Sequence, residues 1–116
     1  MQQAKPGTRP ALWQLASTHP EKVEGLRETL RQIIDPEIGL NIIELGLVRD
    51  VVLQPDEVNI TMILTTPFCP YGPAMLESTR QKTEEFFKLP TTIKMGMEMW
   101  DFSYMEEGLG AEWGLY

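Results

Sequence analysis

The sequence predicts a small α+β domain in the order helix, strand, strand, helix, strand, and three observations carry that reading. Val23, Leu26, Leu30, Ile33 and Ile34 recur at three- and four-residue spacing, which makes one apolar helix face. "LVRDVVLQ" and "VNITMILTT" then change to β-branched, alternating runs. From Pro73 to Lys88 the helical period returns, and "TIKMGMEMW" alternates once more. The second helix would join strand two to strand three, a crossover that should be right-handed and make those strands parallel. Two helices on one face of a three-stranded mixed sheet, in two layers, is the simplest compact solution.

Each element has a local reason. Residues 1–18 are set apart as a flexible arm, because "MQQAKPGTRP" is rich in Pro, Gly and polar residues and short of core formers. For "ALWQLAS" two readings stand: a short helical turn whose Trp13 packs on the domain, or disorder. Residues 19–116 are read as a single domain. "THPE", from Thr18 to Glu21, has capping-box spacing for the first helix. Gly25 weakens that helix slightly, and Pro36 should stop it. "QPDE" places Pro55 and Asp56 where a turn favours them, so the first two strands should form a hairpin. Val58, Ile60, Met62 and Leu64 share one face of strand two. Met75 or Leu76, Thr79, Thr83, Phe86 and Phe87 form the inner face of the second helix, which "LPTT" ends. Ile93, Met95, Met97 and Met99 at period two are expected to pack in the core.

Composition narrows the function classes. The 116 residues are 42% hydrophobic with a formal charge of −7, ordinary for one globular core. An acidic chain lacks the basic patch that phosphate backbones require, so nucleic acid is excluded as a partner. No apolar run approaches the ~18 residues of a membrane span, and the first residues lack a secretory pattern. A cytoplasmic location is expected, and the single cysteine is compatible with reducing surroundings.

That cysteine, Cys69, lies in "TTPFCPYGP" at the mouth of the second helix. Unpaired amides of a first helical turn favour a thiolate, while a free cysteine is as readily a small buried hydrophobe. Both readings stand on position alone. A C-x-x-C redox pair needs a second cysteine, and there is none. A cysteine phosphatase needs an arginine where this chain has Met75. A Cys-His hydrolase needs a histidine in reach, and the only one is His19 beside the first helix. "TPFC" matches the Thr-x-x-Cys of peroxiredoxins, but that fold needs a longer chain with more strands. Metal chemistry remains. One thiolate is too few ligands for a closed site, so carboxylates, a small molecule or a second chain must add donors. Asp35 and Glu37 are the nearest candidates, since their loop and Cys69 should lie at one end of the sheet.

Three segments together resemble one family. "IIDPEIGLNIIELGLV" is similar to its Asp-Pro-Glu turn followed by Asn-Ile and a Leu-Gly-Leu-Val strand entry. "MILTTPFCP" is similar to its strand running into Thr-Thr-Pro-x-Cys-Pro, and Trp100 to its tryptophan after the last strand. The family is the metal–sulfur (iron–sulfur) cluster assembly factors, SufT- and PaaD-like proteins with the eukaryotic cytosolic iron–sulfur targeting subunits. The resemblance covers residues 20 to 116 and implies the same order of helices and strands. It implies a non-enzymatic maturation factor, an adaptor or transient carrier that partners other iron–sulfur assembly proteins and apo-targets. It also implies a site of Asp35, Glu37, Ile38, Thr65, Thr66 and Cys69, with Cys69, Asp35 and Glu37 as candidate metal ligands. No cofactor is permanently bound in that reading; iron or a transient iron–sulfur cluster is the cargo, and a homodimer would bring two thiolates together. The rival reading is a protein-interaction module with a structural Cys69. The chain departs from the family in having Glu98 and Met99 where a Pro-Pro usually precedes the tryptophan. Its tail keeps Leu109, Trp113 and Gly114 but adds Gly108 and Gly110, which weaken a helix there.

Overall fold

The computed structural model describes residues 7, 9–66 and 70–106. Cys69, the tail residues Gly108, Leu109, Gly110, Trp113 and Gly114, and most of the first eight residues lie outside them. The chain runs α1 (Leu15–Thr18), α2 (Pro20–Leu30), β1 (Val48–Leu53), β2 (Val58–Met62), α3 (Gly72–Phe87) and β3 (Thr91–Met95), then a 3-10 turn at Phe102–Tyr104. The three strands form one sheet in the order β1-β2-β3. β1 pairs antiparallel with β2, and β2 pairs parallel with β3, with Val58 beside Thr91 and Met62 beside Met95. This is the expected mixed sheet and element order.

The hairpin forms at "QPDE", where the Gln54 amide donates to the Glu57 carbonyl at 2.8 Å. α3 buries Met75, Thr79 and Thr83 and packs on β2 and β3. The two threonines spend their hydroxyls on the helix itself, donating to the carbonyls one turn back at 2.8 and 2.7 Å. The core gathers around Leu26, Leu30, Leu45, Val51, Ile60 and Met62.

Four local expectations change. Thr18 does not cap α2; it is the last residue of α1, and its hydroxyl bonds back to the Gln14 carbonyl at 3.3 Å. His19 holds the cap position with no side-chain bond, and Pro20 opens α2. α2 also stops at Leu30, well before Pro36, because the following carbonyls are drawn into tighter turns and then into pairing with residues 40–42. Ile34, beyond that end, is 48% exposed and off the apolar face. The largest change is the methionine run. Met95, Met97 and Met99 are 45, 95 and 83% exposed, because β3 is the outer strand and the sheet ends before Met97.

Of the two readings of "ALWQLAS", the helical turn is the one adopted. Trp13 and Leu15 are buried, and the Trp13 indole donates to the Val48 carbonyl at 2.9 Å. Part of the segment set apart as an arm therefore lies on the domain. The Gly7 and Arg9 amides donate to the carbonyls of Met105 and Ser103 at 2.8 and 2.9 Å.

Candidate functional site

The site is built on the loop between α2 and β1. Asp35 is fully buried there and closes the loop with backbone and side chain together. Its amide donates to the Leu40 carbonyl at 2.9 Å, and its carbonyl accepts from Gly39 at 2.7 Å. Its Oδ1 accepts from the Glu37 amide at 2.9 Å, the aspartate turn that a residue before proline favours. Gly39 supplies the left-handed φ of 84° that brings the chain back.

Thr65 reaches this loop from the end of β2. Its hydroxyl donates to Asp35 Oδ2 at 3.3 Å, so one buried carboxylate joins the loop before β1 to the segment after β2. The third motif meets the same region: the Trp100 indole donates to the Leu45 carbonyl at 2.7 Å. Trp100 also stands edge-on to Phe102 at 5.4 Å. The three sequence segments thus converge on residues 35–47.

The next turn holds itself. Asn41 Oδ1 accepts from the Glu44 amide at 2.8 Å, and Glu44 Oε1 accepts from the Asn41 amide at 2.9 Å. This reciprocal exchange is a capping box on a single helical turn. Neither Asn41 nor Glu44 is among the site residues expected from the sequence; the Asn-x-x-Glu spacing was the available signal. Gly46 ends the turn at φ 71°, and a Cβ there would lie 1.8 Å from the Tyr104 carbonyl oxygen.

The other expected residues lie differently. Glu37 is exposed, and its carboxylate has no hydrogen bond or ion pair to a described residue. Ile38 is half-buried against the core, and Thr66 is half-buried after Thr65. Cys69 lies outside the described residues, so its relation to Asp35 and Glu37 is not part of this geometry. Among the described residues no group of three or more His, Cys, Asp or Glu gathers as a metal site. The donors here are carboxylate and hydroxyl oxygens, a hard set. An iron–sulfur cluster takes thiolates, which among these residues only Cys69 offers.

Two grooves flank the Asp35–Thr65 junction. One of about 290 Å³ is lined by Ile34, Pro36, Tyr71, Ala74, Ser78 and Lys82 among others. The other, of about 310 Å³, is lined by Thr65, Met95, Glu98, Met99 and Trp100 among others.

The sequence pattern described as "Iron-sulfur cluster assembly protein" matches residues 24–86, more than half of the chain. The chain belongs to the iron–sulfur cluster assembly protein family. The matched stretch contains the Asp35 loop, Thr65 and Cys69, while Trp100 lies beyond it. Within the family, the chain is similar to the Fe-S protein maturation auxiliary factor YitW of Bacillus subtilis (strain 168), 39% identical over 59 residues. That match covers 50% of this chain and 58% of YitW. It is also similar to the Fe-S protein maturation auxiliary factor SufT of Staphylococcus aureus (strain USA300), 34% identical over 52% of this chain and 69% of that protein. A crystal structure of a domain of unknown function, DUF59, from Bacillus anthracis shares the fold at TM-score 0.72. It is 23% identical, over 87% of this chain and 99% of that one.

Proposed function

We propose that this family member serves the maturation of iron–sulfur proteins, as an adaptor or transient carrier acting through Cys69, by binding and handover rather than turnover. The observation that carries the reading is the hydrogen bond from Thr65 to the buried Asp35. It binds two of the three family-like segments into one junction at the end of β2, just ahead of Cys69. Relatives named as maturation auxiliary factors support the same role.

In this reading Asp35 is a brace rather than a first ligand, because both its oxygens already accept hydrogen bonds. Glu37 is the carboxylate open to cargo, Thr65 and Thr66 set the approach to the thiol, and Ile38 is an apolar wall. Iron or a transient iron–sulfur cluster is cargo. One thiolate per chain means that a held cluster draws on a second chain or an external thiol. The partners are other assembly proteins and apo-targets, in the cytoplasm; no helix among the described residues is long and apolar enough to cross a membrane.

Anaerobic titration with iron and sulfide, followed by mixing with an apo iron–sulfur acceptor, tests this. The wild type is expected to develop sulfur-to-iron charge-transfer absorbance and pass it to the acceptor, and Cys69→Ser to lose both. Equal loading and transfer by Cys69→Ser would instead favour an interaction module with a structural cysteine.

A further inference from the structure

Past β3 the chain crosses the end of the sheet as an arc fastened at every second residue. The Gly96 amide donates to the Met62 carbonyl at 2.9 Å. The Glu98 carboxylate stands 3.7 Å from Arg49 Nε, and the Trp100 indole donates to the Leu45 carbonyl. Met95, Met97 and Met99 alternate with these anchors and are exposed, whereas Met62, Met75 and Met105 are buried in the core. Met95 and Met99 line one groove with Leu64 and Thr65, so two thioethers open on the same space. Met97 lies on the bend between them, and its near-complete exposure leaves its three side-chain bonds free to turn the sulfur. Three unbranched side chains held out in this way gain the monomer little by burial.

We propose that this arc is a binding site for a soft monovalent cation, copper(I), held by the thioether sulfurs of Met95, Met97 and Met99. A thioether is a neutral, polarizable donor, and such donors select copper(I) where carboxylates and carbonyls select magnesium or calcium. Neutral donors offer no charge to offset the hydration that a dication gives up, so a single positive charge is favoured. A closed d shell imposes no geometry of its own, so two or three sulfurs on a bent, exposed segment suffice. The one carboxylate on the arc, Glu98, is turned to Arg49 and supplies no hard oxygen for a divalent ion. Lys94, just before Met95, is exposed, and solvent and salt screen its repulsion. Because the anchors fix the backbone in advance, binding has only side chains to order.

Thr65 lines the same groove, so an ion held here lies beside the Asp35–Thr65 junction. The site is nevertheless independent of the cargo role given to Cys69, because its donors are neutral sulfurs and it needs no thiolate.

Anaerobic competition between the Cys69→Ser chain and a chromogenic copper(I) chelator tests the site with the stronger thiolate removed. The chain is expected to take one copper(I) per molecule from the chelator. After correction for the chelator's own protonation, the affinity should stay level from neutral to mildly acid pH, since thioethers have no proton to lose on binding. Met95→Leu, Met97→Leu and Met99→Leu together keep the apolar bulk and remove only the sulfurs, and should abolish the binding. A thermal melt matching that of the parent shows that this variant is folded, as the exposure of all three positions leads one to expect. A Cys69→Ser chain that leaves the copper with the chelator would overturn the proposal. So would a folded triple-leucine variant that binds as its parent does, or an affinity that collapses in acid as that of a histidine or carboxylate site would.

Discussion

The loop from Asp35 to Gly46 and the run from Met95 to Met99 lie on either side of Thr65 and are built in opposite ways. The loop mixes turn residues and acids with isoleucines and leucines, and beside the fully buried Ile42 and Leu45 it holds a fully buried aspartate and a buried glycine. The run is mostly methionine, yet its three thioethers face solvent. At Asp35 and at the methionines burial follows hydrogen-bond completion and position in the sheet rather than hydrophobicity. Asp35 goes inside because each carboxylate oxygen meets a donor, which offsets the cost of leaving water. Met95 stays outside at the end of the outer strand, and Met97 and Met99 lie past the end of the sheet.

The comparison breaks first at Gly46. A side chain there meets the Tyr104 carbonyl at 1.8 Å and an unfavourable φ of 71°. Gly46→Ala should cost roughly 3 kcal/mol or more, a melting-point loss on the order of 10 °C. Asp35 sharpens it next. Asp35→Ala takes the acceptor from the Glu37 amide and the Thr65 hydroxyl and empties a fully buried position, and should cost about 2 kcal/mol by denaturant unfolding. Asp35→Asn keeps an acceptor for the amide, and the threonine hydroxyl can reverse its role, so its cost should stay below about 1 kcal/mol.

A smaller effect is expected where the chain leaves the loop's far side. Two hydrogen bonds from Arg31, both 2.8 Å, hold the Glu106 carboxyl below its ordinary range, against the opposing push of burial. A depressed folded value means that the contribution is complete above the usual carboxylate range and fades as pH falls through the folded value. Glu106→Gln should therefore lower the melting point by about 1 kcal/mol equivalent at neutral pH and flatten its acid limb. The smallest effect belongs to the methionines. Met97→Ser with Met99→Ser should change monomer stability by no more than about 0.5 kcal/mol, as fits side chains that cover nothing within one chain.

These regions also divide what the sequence makes legible. The hairpin, α3 and the parallel third strand follow from periodicity, which reports which residues share a face. Periodicity does not report whether that face is covered, so the stripe from Ile93 to Met99 reads as core although only its start lies on the outer strand and the rest runs past the sheet. Two capping-box spacings show a second limit. Thr18 to Glu21 has the spacing but not the bond, because α1 ends at Thr18 and captures its hydroxyl. Asn41 to Glu44 has both, and it went unread because a single turn has no helical period to announce it. The junction of Asp35 with Thr65 was legible only as two segments expected at one end of the sheet. Thirty positions separate them along the chain, and a hydroxyl-to-carboxylate bond leaves no trace in spacing.

The bonds from Gly7 and Arg9 to Met105 and Ser103 have a consequence for how the chain is made. Arg9 also pairs with Asp101 and stacks on the Tyr104 ring at 4.7 Å, so the first described residues are fastened to the last. During synthesis residues 7 and 9 emerge well before residues 103–105, to which their amides bond. The hairpin and α3 can assemble beforehand from contacts closer in sequence, but the ring closes only when Ser103 to Met105 leave the ribosome. A nascent chain stalled before Trp100 should thus be protease-sensitive around residues 7–9, and protected there once synthesis has continued past Met105.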